Sequence, residues 1–166
     1  MARRDSFEIE FEGLDEQADM IGDMYQDWVV ITKQEMTKFG LLVEEGAKAL
    51  APHDEGDLED SISADPAKLA GDKITVEIGA SAEHALIRHE APYKKGSRDK
   101  YDNGSKFPHY YVNGRGQRTR TKSSWRGFQP GRKYLQNAVT ATEKDYDKMN
   151  QRIQERVING KRGTQS

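Results

Sequence analysis

Histidines, clustered carboxylates and serines are the residues of this chain whose types could carry chemistry, and their spacing argues against a reaction. His84 stands five positions before His89, which Glu90 follows. On a helix, five positions are out of phase by about 140° at 100° per residue, and no His-Glu-x-x-His pattern occurs. Asp54, Asp57 and Asp60 surround Gly56 and could be pictured around Mg²⁺. Acidic residues at a glycine turn more commonly serve as helix caps and solvated charge. Ser61 and Ser63 have no base nearby in sequence, and no glycine-rich phosphate loop opens a helix. The chain has no cysteine, which excludes disulfides, thiolate nucleophiles and zinc sites built on sulfur. The reading is a protein that is not an enzyme, with no catalytic residues, no metal and no cofactor.

Charge is the stronger signal. Residues 1–65 hold 5 Lys and Arg against 18 Asp and Glu, a net −13, whereas residues 88–132 hold 12 against 3, a net +9. The basic stretch is interleaved with Tyr93, Tyr101, Phe107, Tyr110, Tyr111, Trp125 and Phe128 and carries Lys106 among its cations. Three partners fit it: the acidic part of its own chain, the acidic face of a neighbouring copy, or phosphates bound without regard to base sequence. A contact between subunits is the favoured reading. It assigns Lys94, Lys95, Arg98, Lys100, Arg115, Arg118, Arg120, Lys122, Trp125 and Arg126 to that contact. The alternative is a DNA-binding protein that grips duplex DNA through residues 91–128.

At 166 residues, with 34% apolar and 33% charged, the chain fits one domain with a modest core. No segment is apolar for long enough to span a membrane, and no apolar stretch comes after Arg3 and Arg4, so a cytosolic origin without membrane contact is expected. Residues 7–11 alternate apolar and acidic side chains, the period of a short edge strand. From Leu14 to Leu50 apolar residues recur every three or four positions, and those 36 or so residues would span ~54 Å as one helix. The β-branched run at residues 29–32 is where a bend or break is expected, with Thr32 capping the next helical segment and Glu35 completing a capping box. Asp65 and Pro66 begin a connection, Gly71 and Asp72 a turn, and residues 73–79 read as the clearest strand. Residues 85–87 fit either a strand or one helical turn. Residues 107–112 could pair with residues 121–125 as a hairpin around Asn113 and Gly114. A second amphipathic helix runs from Tyr134 to Val157 and ends at Gly160. The expected fold is α+β: a small antiparallel sheet packed by two long amphipathic helices, with a long basic loop or hairpin arm. Residues 7–90 and 129–158 would form the body, 91–128 the arm and 159–166 a tail.

The turn after the first helix organises this layout. Pro52 ends the helix, Asp54 can bond the backbone two residues on, Gly56 can take a positive φ, and Leu58 with Ile62 would anchor a short helical segment. Ala51, Pro52, Asp54, Gly56, Leu58, Ser61 and Ile62, set between a long helix and a strand ending Val76-Glu77-Ile78-Gly79, resemble the neck proteins of tailed double-stranded DNA phages. Ala85, His89, Glu90, Gln129, Pro130, Tyr134 and Leu135 extend the resemblance, which covers residues 7–157. Those proteins are called tail-completion, head–tail joining or minor capsid proteins. They commonly have Thr before the glycine and a basic residue after the leucine, where this chain has Glu55, Glu59 and Asp60. The resemblance implies a structural virion protein that forms a homo-oligomeric ring, expected as a hexamer, completing the tail and joining it to the head connector. Its partners would be further copies of itself, adjoining neck and tail proteins, and channel DNA through non-specific contact. It would reside in the virion, and in the host cytoplasm during assembly.

Overall fold

A computed structural model of the chain describes residues 5–11, 25–53, 56–83, 85 and 117–162. In chain order these form β1 (Asp5–Phe11), α1 (Tyr25–Leu50), α2 (Asp57–Ser61), β2 (Ile62–Ala64), β3 (Lys68–Ala70), β4 (Lys73–Ala80), α3 (Gln117–Thr121), α4 (Tyr134–Ala141) and α5 (Glu143–Arg162). The small antiparallel sheet packs against a long helix, so the fold is α+β.

Helix α1 is the element on which both the sheet and the α4–α5 pair pack. Its buried residues, from Trp28 through Thr32, Glu35, Phe39, Gly40, Val43 and Gly46 to Leu50, fall within an arc of about 140° at 100° per residue. The break expected at residues 29–32 does not occur. Trp28, Val29 and Thr32 are buried there, and packing outweighs the few tenths of a kcal/mol by which β-branched residues disfavour a helix. Thr32 therefore lies inside the helix and not at its cap. The expected turns at residues 14–24 lie outside the described residues.

In the sheet, β4 is the common partner. On one side β1 runs antiparallel to it, with Phe7 opposite Ile78, Ile9 opposite Val76 and Phe11 opposite Ile74. On the other side β2 pairs its far end and β3 its near end. Where the sequence predicts only a connection, these two short strands form one interrupted edge. Asp65 N–H still bonds Glu77 O at 2.8 Å, and Pro66, which has no N–H, falls in the gap. Gly71, at φ 64°, turns this edge into β4. Ile74, Val76 and Ile78 are fully buried on the face toward α1. Contact there is close enough that a Cβ on Gly40 would stand 3.0 Å from Val76 Cγ1 and 3.5 Å from Ala64 Cβ.

The second helix, expected as continuous, is divided at Thr142, whose backbone (φ −107°, ψ 5°) leaves the helical region. The buried Thr142 hydroxyl donates back to Ala138 O and Val139 O at 3.0 and 2.9 Å, and this local bonding competes with the helical ladder. Gly160 does not end α5, which continues to Arg162. Alongside α1, the Phe39 and Tyr146 rings meet edge to face at 5.5 Å. Farther along, the buried Glu35 carboxylate accepts from Arg152 Nε at 2.9 Å, Arg156 at 2.8 Å and Lys38 at 3.1 Å. Burial pushes the Glu35 carboxyl up, but the hydrogen bonds from Arg152 and Lys38 outweigh it and hold the group below its ordinary value of 4.5.

Gly40→Val should lower unfolding stability by about 1–3 kcal/mol in urea titrations, since two further methyls have no room against Val76 and the overpacking exceeds any gain in helix propensity. A carboxyl held low in the native state stabilises above its unfolded value and loses that contribution as pH falls through the native one. Between pH 6 and acid conditions below about 4.5, the wild-type midpoint should therefore drop more than that of Glu35→Gln.

Candidate interaction site at the end of the long helix

A helix leaves its last carbonyls without intrahelical partners, and α1 ends where Ala51 is buried and Pro52 halts the chain. Three of these carbonyls are capped from far along the sequence. Lys122 Nζ donates to Lys48 O at 2.9 Å and Ala51 O at 2.8 Å, and Gly131 N–H donates to Leu50 O at 2.8 Å. The ammonium thus sits at the negative pole of the helix. Its third bond goes to Glu59 Oε1, at 2.9 Å.

The bend places that carboxylate. Gly56, at φ 105°, starts α2, and Ser61 Oγ closes it by donating to Leu58 O at 2.8 Å. Leu58 is half-buried against the core, and Ile62 is buried as the first residue of β2. Pro52 is half-buried, and Asp54 lies outside the described residues. Glu59, where the resembling proteins commonly have a basic residue, also accepts from His53 Nδ1 at 2.7 Å. His53 N–H donates to Thr119 Oγ1 at 2.9 Å, and the buried Thr119 hydroxyl donates to His53 O at 3.3 Å. These bonds fasten α3 to the end of α1.

A second attachment lies one turn back on α1. Trp125 and Phe128 exchange backbone hydrogen bonds around Arg126 (φ 48°) and Gly127 (φ 88°), two positive φ values as in a type I′ turn. The turn lays the Trp125 indole on Gly46, where a Cβ would stand 2.5 Å from the ring. The Arg126 guanidinium lies over the ring, 4.8 Å from its centre, and pairs with Asp145 on α5.

Residues 121–125 are therefore not the strand of a hairpin. Residues 117–121 are helical, and Trp125 pairs with Phe128. Residues 107–112, their expected partner, lie outside the described residues. Of the candidate contact residues, Lys122, Trp125 and Arg126 are joined to the body, and Arg118 and Arg120 are exposed on α3. Lys94, Lys95, Arg98, Lys100 and Arg115 lie outside the described residues, as do His84, His89 and Glu90. Ala85 is helical and buried, and the rest of residues 85–87 lies outside. Sequence reasoning did not find Glu35 as a cross-helix anchor or Gly46 as a ring seat. Two glycines six apart inside a strong helical pattern were a readable sign that something packs closely on them. Among the described residues, no group of three or more His, Cys, Asp or Glu could hold a metal ion, and no helix is long and apolar enough to cross a membrane.

The family model described as "Bacteriophage HK97-gp10, putative tail-component" matches residues 14–89, which is 76 of the 166 residues. The match contains α1, the bend, α2 and strands β2 to β4, and stops at the start of the basic stretch. No curated protein and no solved structure matches the chain.

Lys122→Met should cost about 1.5–3 kcal/mol in urea unfolding, because it removes a charged donor from two helix-end carbonyls and from Glu59. Lys144→Met and Lys148→Met, at exposed positions of α5, should stay within about 0.5 kcal/mol of wild type.

Proposed function

We propose that this chain is a structural protein of the phage neck, assembling as a homo-oligomeric ring that completes the tail and joins it to the head connector. The observation that carries the reading is the similarity of residues 14–89 to a phage tail-component family, coincident with the α1–bend–β4 unit. In this reading the protein acts by assembly and not by catalysis, in the virion and, beforehand, in the host cytoplasm. The body of each subunit is the sheet with α1 and the α4–α5 pair. The basic stretch makes the subunit contact, through Lys94, Lys95, Arg98, Lys100 and Arg115 together with the exposed Arg118 and Arg120. Six subunits are the expected number, and adjoining neck and tail proteins are the further partners.

The docking of residues 117–131 onto α1 decides how to test this. Removing them would uncap the helix, so the informative deletion is residues 94–116. Light scattering should give a ring mass for the whole chain and a single-subunit mass for the deletion variant at unchanged helix content. Rings of full mass from the deletion variant would overturn the role given to the basic stretch. Duplex DNA at low salt should leave the mobility of the chain unchanged, and a salt-sensitive shift would instead favour a DNA grip.

A further inference from the structure

We infer that the face of the sheet turned away from α1 receives the basic stretch of a second copy of this chain, an inference that rests on the ring reading. The register of β1 on β4 sets Glu8 directly opposite Glu77, with Glu10 two residues along on the same face. From the other edge, the bond from Asp65 N–H to Glu77 O brings Asp65 alongside. Glu8, Glu10 and Glu77 are exposed. Like charges directly opposite across a strand pair are destabilising in an isolated subunit, and a cationic partner removes that penalty. Lys73 meets Glu10 at 2.7 Å and Lys68 meets Asp65 at 3.5 Å, whereas no lysine or arginine among the described residues forms an ion pair with Glu8 or Glu77. The backbone adds to this opening, because the outer side of β1 pairs with no strand among the described residues.

The occupant is identified by complementarity within the chain. Residues 88–132 hold 12 of its 26 Lys and Arg against 3 acidic residues. Two of the described cations there, Lys122 and Arg126, pair with Glu59 and Asp145 of their own body, and the exposed Arg118 and Arg120 stand on α3 at the end of α1. The acidic face lies on the sheet, and the described cations of the basic stretch lie beside α1 and α5, on different parts of one surface. A contact between unlike patches is head-to-tail, and in the ring reading its repetition closes because the rotation from one copy to the next sums to a full turn.

The test uses the full chain, with mass measured by light scattering against concentration at low and high salt, and melting measured where the chain is dilute and single. Glu77→Lys should weaken assembly tenfold or more while leaving the dilute melting temperature unchanged or higher, since a cation then faces Glu8. Arg118→Glu with Arg120→Glu should also prevent rings. In an equal mixture of the two variants each altered patch meets the oppositely altered one and each unaltered patch its unaltered partner, so rings that neither variant forms alone should return. Wild-type rings together with equally stable Glu77→Lys rings would overturn this inference and leave the ring reading standing. A wild-type chain that remains single at every concentration would overturn both. A lowered dilute melting temperature for Glu77→Lys would show the face to be covered by its own chain, and would also overturn the inference.

Discussion

The carbonyls at the C-terminal end of α1 impose the condition on which the rest of the molecule is arranged. They are too enclosed for water to serve them fully, and the helix cannot serve them itself. Lys122 and Gly131 supply the donors, so the stretch that contains them must lie against this pole, and the bend after α1 must bring Glu59 to the same ammonium. Three pieces of sequence are joined in this way: the helix end, the Gly56 bend and the stretch from α3 to Gly131. A charged donor bonded to partly buried acceptors contributes more than an exposed ion pair, which is worth at most about 1 kcal/mol. Position in the fold, and not charge alone, therefore separates Lys122 from the arginines on α3.

Along its length α1 also has to fit two different partners. Toward the sheet it presents Gly40, so that the buried side chains of β4 approach its backbone; toward residues 125–128 it presents Gly46, which admits an indole. Each glycine weakens the isolated helix by about 1 kcal/mol relative to alanine, a cost offset only by the close contact it permits. Glu35 plays a different part. A buried carboxylate with several cationic partners is poor evidence of net stability, but its fixed hydrogen bonds to Arg152 and Arg156 define where α5 stops along α1.

Much of this architecture was legible because its determinants are local. The alternation in residues 7–11 and 73–79 identified β1 and β4, and three-to-four spacing identified α1 and the α4–α5 pair. The positive φ of Gly56 came from the turn chemistry around it. The features that escaped have non-local causes. The edge formed by β2 and β3 is three residues on either side of Pro66 and is held by β4, so its own pattern is too short to read. Thr142 fits the helical period, and only its burial and its hydroxyl bonds mark the break. Nothing near Lys122 in sequence points to carbonyls more than seventy residues earlier.

The charge imbalance between the two halves acquires a definite distribution from this geometry. Some of it is resolved inside the subunit, where Lys122 of the basic stretch meets Glu59 of the acidic part, while Asp145 takes up Arg126 and the α5 arginines take up Glu35. The acidic residues that remain outward on β1 and β4 are held by a rigid sheet in a fixed row, and the register that aligns Ile9 with Val76 for the core forces Glu8 onto Glu77 on the opposite face. Shifting the register by one residue would separate the carboxylates but turn the apolar set out of the core, a far larger loss. The repulsion is therefore built into the stable subunit, and a cation supplied from elsewhere relieves it without any change of fold.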